Sequence, residues 1–159
     1  MNAGAWLALS VVLAALWSGL LLTLTTILHP MYAARDPRGF AGDLQRFLPV
    51  ARRSATNYLL VIGLLVAPAL AIASLWDDKG SAPFLLTATG LALVLAGPFA
   101  VSRFLAEPNY DVIMRWQPDR LPADWTVARR RYFLLNWLRG ALTWSALALF
   151  AAAAWIELG

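Results

Sequence analysis

Four long apolar segments, separated by three polar connections, dominate the pattern of this chain. The segments cover approximately residues 3–28, 56–76, 83–104 and 132–156. Each segment is long enough to cross the hydrocarbon core of a bilayer as a helix. The middle connection is so short that the two segments beside it must run antiparallel. The pattern predicts an all-α membrane protein, an antiparallel bundle of four transmembrane helices forming a single integral-membrane domain over residues 1–159.

The first connection contains an amphipathic stretch. Phe40, Leu44, Phe47 and Leu48 recur at helical spacing, and charged or amide side chains lie between them. This spacing predicts a short amphipathic helix, about residues 40–50, lying at the membrane surface.

Prolines set the expected ends of the first and third spans. The first span is expected to stop at His29-Pro30, because a proline biases the preceding residue away from the helical conformation. Residues 105–131 contain three prolines and alternating charges, which indicate a polar connection beyond the end of the third span near Phe104. Asp124 is expected to cap the helix that continues into the fourth span.

Composition removes several classes of function. With 60% hydrophobic residues in a chain of 159, an ordinary soluble domain is excluded. The absence of Cys excludes disulfides and thiolate chemistry, and a single His excludes a multi-histidine metal site within one chain. The net charge of +4 does not indicate a nucleic-acid partner, because the arginines flank the apolar segments.

The positive charges predict the orientation. The first and third connections each hold five arginines, the middle one has only Lys79, and neither terminus has a Lys or Arg. The positive-inside rule therefore places the first and third connections in the cytoplasm and both termini outside a plasma (inner) membrane.

This topology brings the polar residues of the spans to one end of the bundle. Ser18, Thr25 and His29 follow one stripe of the first span, which should face protein. Arg139 lies eight residues past Arg131, about 12 Å deeper along a helix axis, where a charge needs a partner or water. A polar cluster in this half of an apolar bundle predicts a cavity. Its candidate members are His29, Asn57, Arg103, Tyr132, Asn136 and Arg139.

Each candidate also has a structural interpretation. His29 can simply end a helix, Asn57 can cap the second helix, and Arg103 can anchor the third helix at the interface. Arg139 can be satisfied by a carbonyl or by Glu107 instead of a ligand. Tyr132 and most tryptophans suit the interfacial belt, whereas Trp137 could line a pocket.

Nearly the whole chain resembles the anthrone oxygenase-like family, small membrane proteins with four spans, and the match is specific in the last third. The resemblance is carried by His29-Pro30, by Pro108-Asn109 and by the pattern Trp116-x-Pro118…Leu121-Pro122-x-Asp124-Trp125…Arg129…Arg131-Tyr132…Asn136-x-x-Arg139. It implies oxidation of an anthrone-like, lipophilic substrate by molecular oxygen, with no metal, flavin or other cofactor.

The resemblance also implies roles for individual residues. His29 would be the general base, and Asn136 and Arg139 would stabilise the enolate. The polar cluster and its pocket add Asn57, Tyr132 and Trp137 as predicted substrate-binding residues, and Asn109 of the Pro108-Asn109 pair is predicted to bind substrate as well.

Other functions stay open on the sequence. A non-catalytic membrane partner, assembly factor or lipid-binding protein is the main alternative. A small transporter is disfavoured by the lack of an inverted repeat and of an intramembrane acid. A haem protein with His29 as its axial ligand has no further support. The expected partners are membrane lipid and a lipophilic small molecule, with a homo-oligomer as a further alternative.

Overall fold

The computed structural model describes residues 2–159, and the described chain folds into five helices without any strand. Four helices are long and apolar enough to cross a membrane. The fold class predicted from the sequence, an all-α membrane bundle, is therefore confirmed. In chain order the helices are α1 (Ala3–Ala33), α2 (Pro37–Arg53), α3 (Ala55–Ser74), α4 (Ala82–Met114) and α5 (Trp125–Leu158).

The four long helices form a closed ring. Helices α1 and α4 each pack against both α3 and α5. Small residues let these helices approach closely, as in other membrane bundles. Gly90 of α4 is the clearest case, because a Cβ atom there would lie 2.5 Å from the ring of Phe150 on α5.

Helix α2 covers one end of this ring, which we call the basic end. At this end α1 and α4 finish, α3 and α5 begin, and the arginines of both flanking connections gather. The Asp36 side chain caps α2 by accepting a hydrogen bond from the amide of Gly39 (2.9 Å).

The apolar face of α2 is buried against α4 and α5, as its sequence period predicts. Phe40, Leu44 and Leu48 are buried in a cluster with Ile113 and Tyr132. The predicted surface helix is confirmed, although it is longer than residues 40–50.

Two predicted helix ends are wrong. The first span continues through Pro30 to Ala33, and the third continues through Pro108 to Met114. In both cases a stretch of π-helical hydrogen bonding precedes the proline, at Leu24–Leu28 before Pro30 and at Leu95–Ala106, which itself contains Pro98, before Pro108. A proline cannot donate an amide hydrogen bond and clashes with the carbonyl four residues earlier. The wider turn changes which carbonyl is bonded, so the helix continues.

The start of α5 is predicted correctly, but its capping is not. The helix begins at Trp125, directly after Asp124. The Asp124 side chain makes no capping hydrogen bond, and its backbone carbonyl instead accepts from the amide of Val127 (2.9 Å).

Candidate functional site

A cavity of about 890 Å³ opens near the basic end, with side chains from all five helices in its wall. Its volume is that of a pocket for a small organic molecule. Most of the wall is apolar, including Leu21, Val61 and Pro98. Leu20, Tyr58 and Phe99 lie on its rim with 46, 61 and 46% of their surface exposed. Since these exposed side chains belong to membrane-spanning helices, the rim faces the region that lipid occupies.

The deepest charged group of the cavity is Arg139. Its guanidinium donates to the Ser102 hydroxyl of α4 through Nη1 (2.9 Å) and to Asn136 Oδ1 through Nη2. Its Nε is buried and has no hydrogen-bond partner. Arg139 therefore faces the interior of the bundle, and neutral groups hold it in place.

Asn136 lies outside the cavity wall and accepts a hydrogen bond from the Arg139 guanidinium. It is fully buried, and its Oδ1 also accepts from the Tyr110 hydroxyl (3.3 Å). Its Nδ2 donates to the Tyr132 carbonyl one turn earlier (2.9 Å). Because these protein contacts occupy the amide and Asn136 does not line the cavity, its geometry suits positioning Arg139 rather than touching a ligand.

Tyr132 separates the cavity from His29. The phenol is 1% exposed, lines the cavity and has no hydrogen-bond partner on its oxygen. The His29 ring lies 5.4 Å from the Tyr132 ring and 4.7 Å from the Phe133 ring, centre to centre. Both His29 nitrogens are buried without a partner, and His29 is not part of the cavity wall.

The acidic groups of the wall are already paired. Arg52 of α2 donates to Asp111 Oδ1 (2.8 Å) and contacts Glu107 Oε2 (2.6 Å), both on α4. Burial lowers the pKa of Arg52, but the hydrogen bonds and charges of Asp111 and Glu107 outweigh burial and raise it above its ordinary value. The expectation that Glu107 could satisfy Arg139 is therefore not met, since Glu107 pairs with Arg52.

The remaining predicted residues lie in different surroundings. Asn57 is half-buried in the cavity wall, and its Nδ2 donates to the Ala51 carbonyl (3.1 Å). The cap of α3 is Ser54, whose hydroxyl accepts from the Asn57 amide (3.3 Å). Asn109 is buried away from the cavity and donates to the Ala128 carbonyl (3.0 Å), joining α4 to α5. Trp137 is exposed beside Trp144 and does not reach the cavity.

Sequence reasoning missed Ser102 and Tyr110, which hold Arg139 and Asn136. Ending the third span near Phe104 placed Tyr110 in a loop. A signal for the longer helix was present, because Ala106, Tyr110 and Ile113 continue the apolar helical spacing and are all buried.

The arrangement can bind an apolar molecule and offer hydrogen-bond donors and the positive charge of Arg139 to its polar end. Within residues 2–159, no group of three His, Cys, Asp or Glu side chains could hold a metal ion. Comparison with protein-family models, curated proteins and solved structures gives no match to this chain.

Proposed function

We propose that the protein binds a lipophilic, aromatic or polyketide-like substrate in this cavity and oxidises it with molecular oxygen through a carbanion. The observation that carries the proposal is the Arg139 guanidinium, held inside a lipophilic cavity by Ser102 and Asn136 with no carboxylate beside it. Such a cation stabilises negative charge that develops on a bound carbonyl oxygen.

The reaction needs no cofactor in principle. A methylene group whose anion is delocalised onto a carbonyl, directly or through aromatic rings, loses a proton to a base and becomes an enolate. The carbanion adds molecular oxygen to give a peroxide, which protonation and loss of water convert to a ketone. The balance is R₂CH₂ + O₂ → R₂CO + H₂O, so the substrate supplies the electrons.

His29 is the proposed base. It is the only imidazole of the chain, and neither ring nitrogen has a protein partner. Because Tyr132 lies between His29 and the cavity, proton transfer requires the Tyr132 ring to shift far enough for substrate to reach His29, while its hydroxyl stays at the cavity.

Oxygen uptake with anthrone as substrate tests this proposal. We expect purified protein in lipid nanodiscs to consume oxygen and form anthraquinone. Arg139→Gln should reduce the rate by about a hundredfold or more, because it removes the charge that stabilises the enolate. Arg103→Gln is the matched control, since Arg103 also lines the cavity but is exposed on its rim. Full activity in His29→Ala would refute the role of base.

A second candidate is a non-catalytic protein that binds a lipophilic molecule. It is favoured by the position of His29, whose nitrogens do not line the cavity. Saturable binding of a lipophile without any oxygen uptake would support it over the oxygenase.

A further inference from the structure

Four residues that line the cavity carry a buried hydrogen-bond donor without a partner in the protein: Trp17 (Nε1), Arg52 (Nε), Tyr132 (hydroxyl) and Arg139 (Nε). Two of these donors, the Tyr132 hydroxyl and the Arg139 Nε, belong to α5. The two residues are seven apart on α5, which is two helical turns, so they project from the same face. Both side chains therefore contribute to the wall of the same cavity.

Leaving these donors unsatisfied is costly. A buried donor without a partner costs about 1–3 kcal/mol, and more when it belongs to a charged group. A ligand oxygen in the cavity would remove this cost at both groups.

The charged side chains of the cavity wall indicate what kind of ligand oxygen would bind there. Arg139 bonds only to neutral acceptors, and none of the ion pairs between described residues involves it. The two acids of the wall, Glu107 and Asp111, are both engaged by Arg52. A positive charge at this depth requires compensation, and no carboxylate of the described residues lies within ion-pair distance of Arg139.

We propose that the ligand is a lipophilic organic anion, whose oxygen-centred head group accepts from Tyr132 and pairs with Arg139. This inference rests on the proposed function, in that the cavity is a ligand site, and narrows the substrate class. The predicted ligands bear a phenolate, enolate or carboxylate on an apolar body, and that body lies along the apolar wall of the cavity.

A matched pair of fluorescent probes tests the charge requirement. Pyrenebutyrate and pyrenebutanol share an apolar body and differ in their head group. Wild-type protein in phosphatidylcholine nanodiscs should bind the acid at least about tenfold more tightly than the alcohol, which corresponds to one charge-assisted hydrogen bond. Equal affinity for both probes would overturn the inference.

Variants identify which side chains produce the preference for the acid over the alcohol. Tyr132→Phe and Arg139→Gln should each weaken binding of the acid by about tenfold and leave binding of the alcohol unchanged. The controls are Tyr32→Phe and Arg130→Gln, which alter a tyrosine and an arginine that do not line the cavity. Selectivity that is lost in the controls and kept in the two test variants would contradict the proposal. Tyr132→Phe keeps the ring packing, so it reports on the hydroxyl even if Arg139→Gln does not fold.

Two further measurements separate the alternatives. Adding phosphatidylglycerol to the nanodiscs should not displace pyrenebutyrate, and displacement would assign the site to a lipid head group instead. Selective probe binding without oxygen uptake from anthrone would end the oxygenase proposal and leave this inference standing. Failure of the wild type to bind either probe would remove the ligand site itself.

Discussion

Asn136 links the polar side chains of the cavity to the backbone of α5. Its carbonyl oxygen accepts from Arg139 and Tyr110, and its amide donates to the Tyr132 carbonyl. A single fully buried side chain thus connects α4 with α5 and restrains the guanidinium. The sequence placed Asn136 near Arg139 through their spacing of three, but the spacing alone could not distinguish a ligand contact from a support.

Replacing Asn136, with a matched control, should distinguish an effect on ligand binding from an effect on stability alone. We expect Asn136→Leu to lower the free energy of unfolding by about 1–3 kcal/mol, because Tyr110 and Arg139 lose a buried acceptor. Pyrenebutyrate affinity should fall with it. Asn109→Leu is the matched control, since it also removes a buried amide that joins α4 to α5 but does not contact Arg139. If both variants lose affinity equally, Asn136 has no special role in positioning Arg139.

At the scale of helices, sequence period and residue size predicted most of the structure. The four spans, the amphipathic α2 and the burial of Ser18, Thr25 and His29 all follow from apolar spacing. The ends of α1 and α4 did not follow, because a proline usually ends a helix and the π-helical turns that accommodate it have no sequence signature of their own. For α4, the apolar spacing of Ala106, Tyr110 and Ile113 was the one signal of the longer helix.

The partners of the charged side chains were equally beyond sequence reasoning. Arg139 donates a hydrogen bond to Ser102, which is 37 residues away in the sequence, and Arg52 forms an ion pair with Glu107. These pairings depend on how far each helix is rotated about its axis. The spacing within one helix does not fix that rotation relative to its neighbour.

Close packing of α4 against α5 gives an element-scale prediction. Gly90→Ala should destabilise the protein by about 1–3 kcal/mol, because the new methyl group overlaps the buried Phe150 ring. Gly19→Ala in α1 is the control, since nothing lies within 4 Å of a Cβ built there. Thermal unfolding in the same detergent compares the two, and equal melting temperatures would contradict the close approach.

At the scale of the whole molecule, the distribution of charge leads us to propose an orientation. The basic end, with α2, would lie in the cytoplasm, and the turn between α3 and α4 would lie outside. On this orientation the cavity belongs to the inner leaflet. The absence of native Cys makes the proposal easy to test, because any introduced thiol is unique.

Labelling of intact cells with a membrane-impermeant maleimide gives the expected pattern. Gly80→Cys, in the turn after α3, should be labelled from outside, whereas Asp119→Cys, between α4 and α5, should be labelled only after lysis. Both positions are exposed, so accessibility within the protein does not decide the result. The reverse pattern would invert the orientation.

The exposed apolar rim formed by Leu20, Tyr58 and Phe99 opens the cavity toward lipid. The ligand concentration that governs binding is therefore the concentration in the membrane, not the concentration in water. A lipophile that arrives through this rim comes from the acyl-chain phase, where partitioning enriches it far above its aqueous level. Adding lipid or detergent dilutes such a compound within that phase even when its total amount is constant. Occupancy of the cavity will therefore follow the mole fraction of ligand per lipid, and two laboratories using different amounts of detergent would obtain different dissociation constants for one and the same protein.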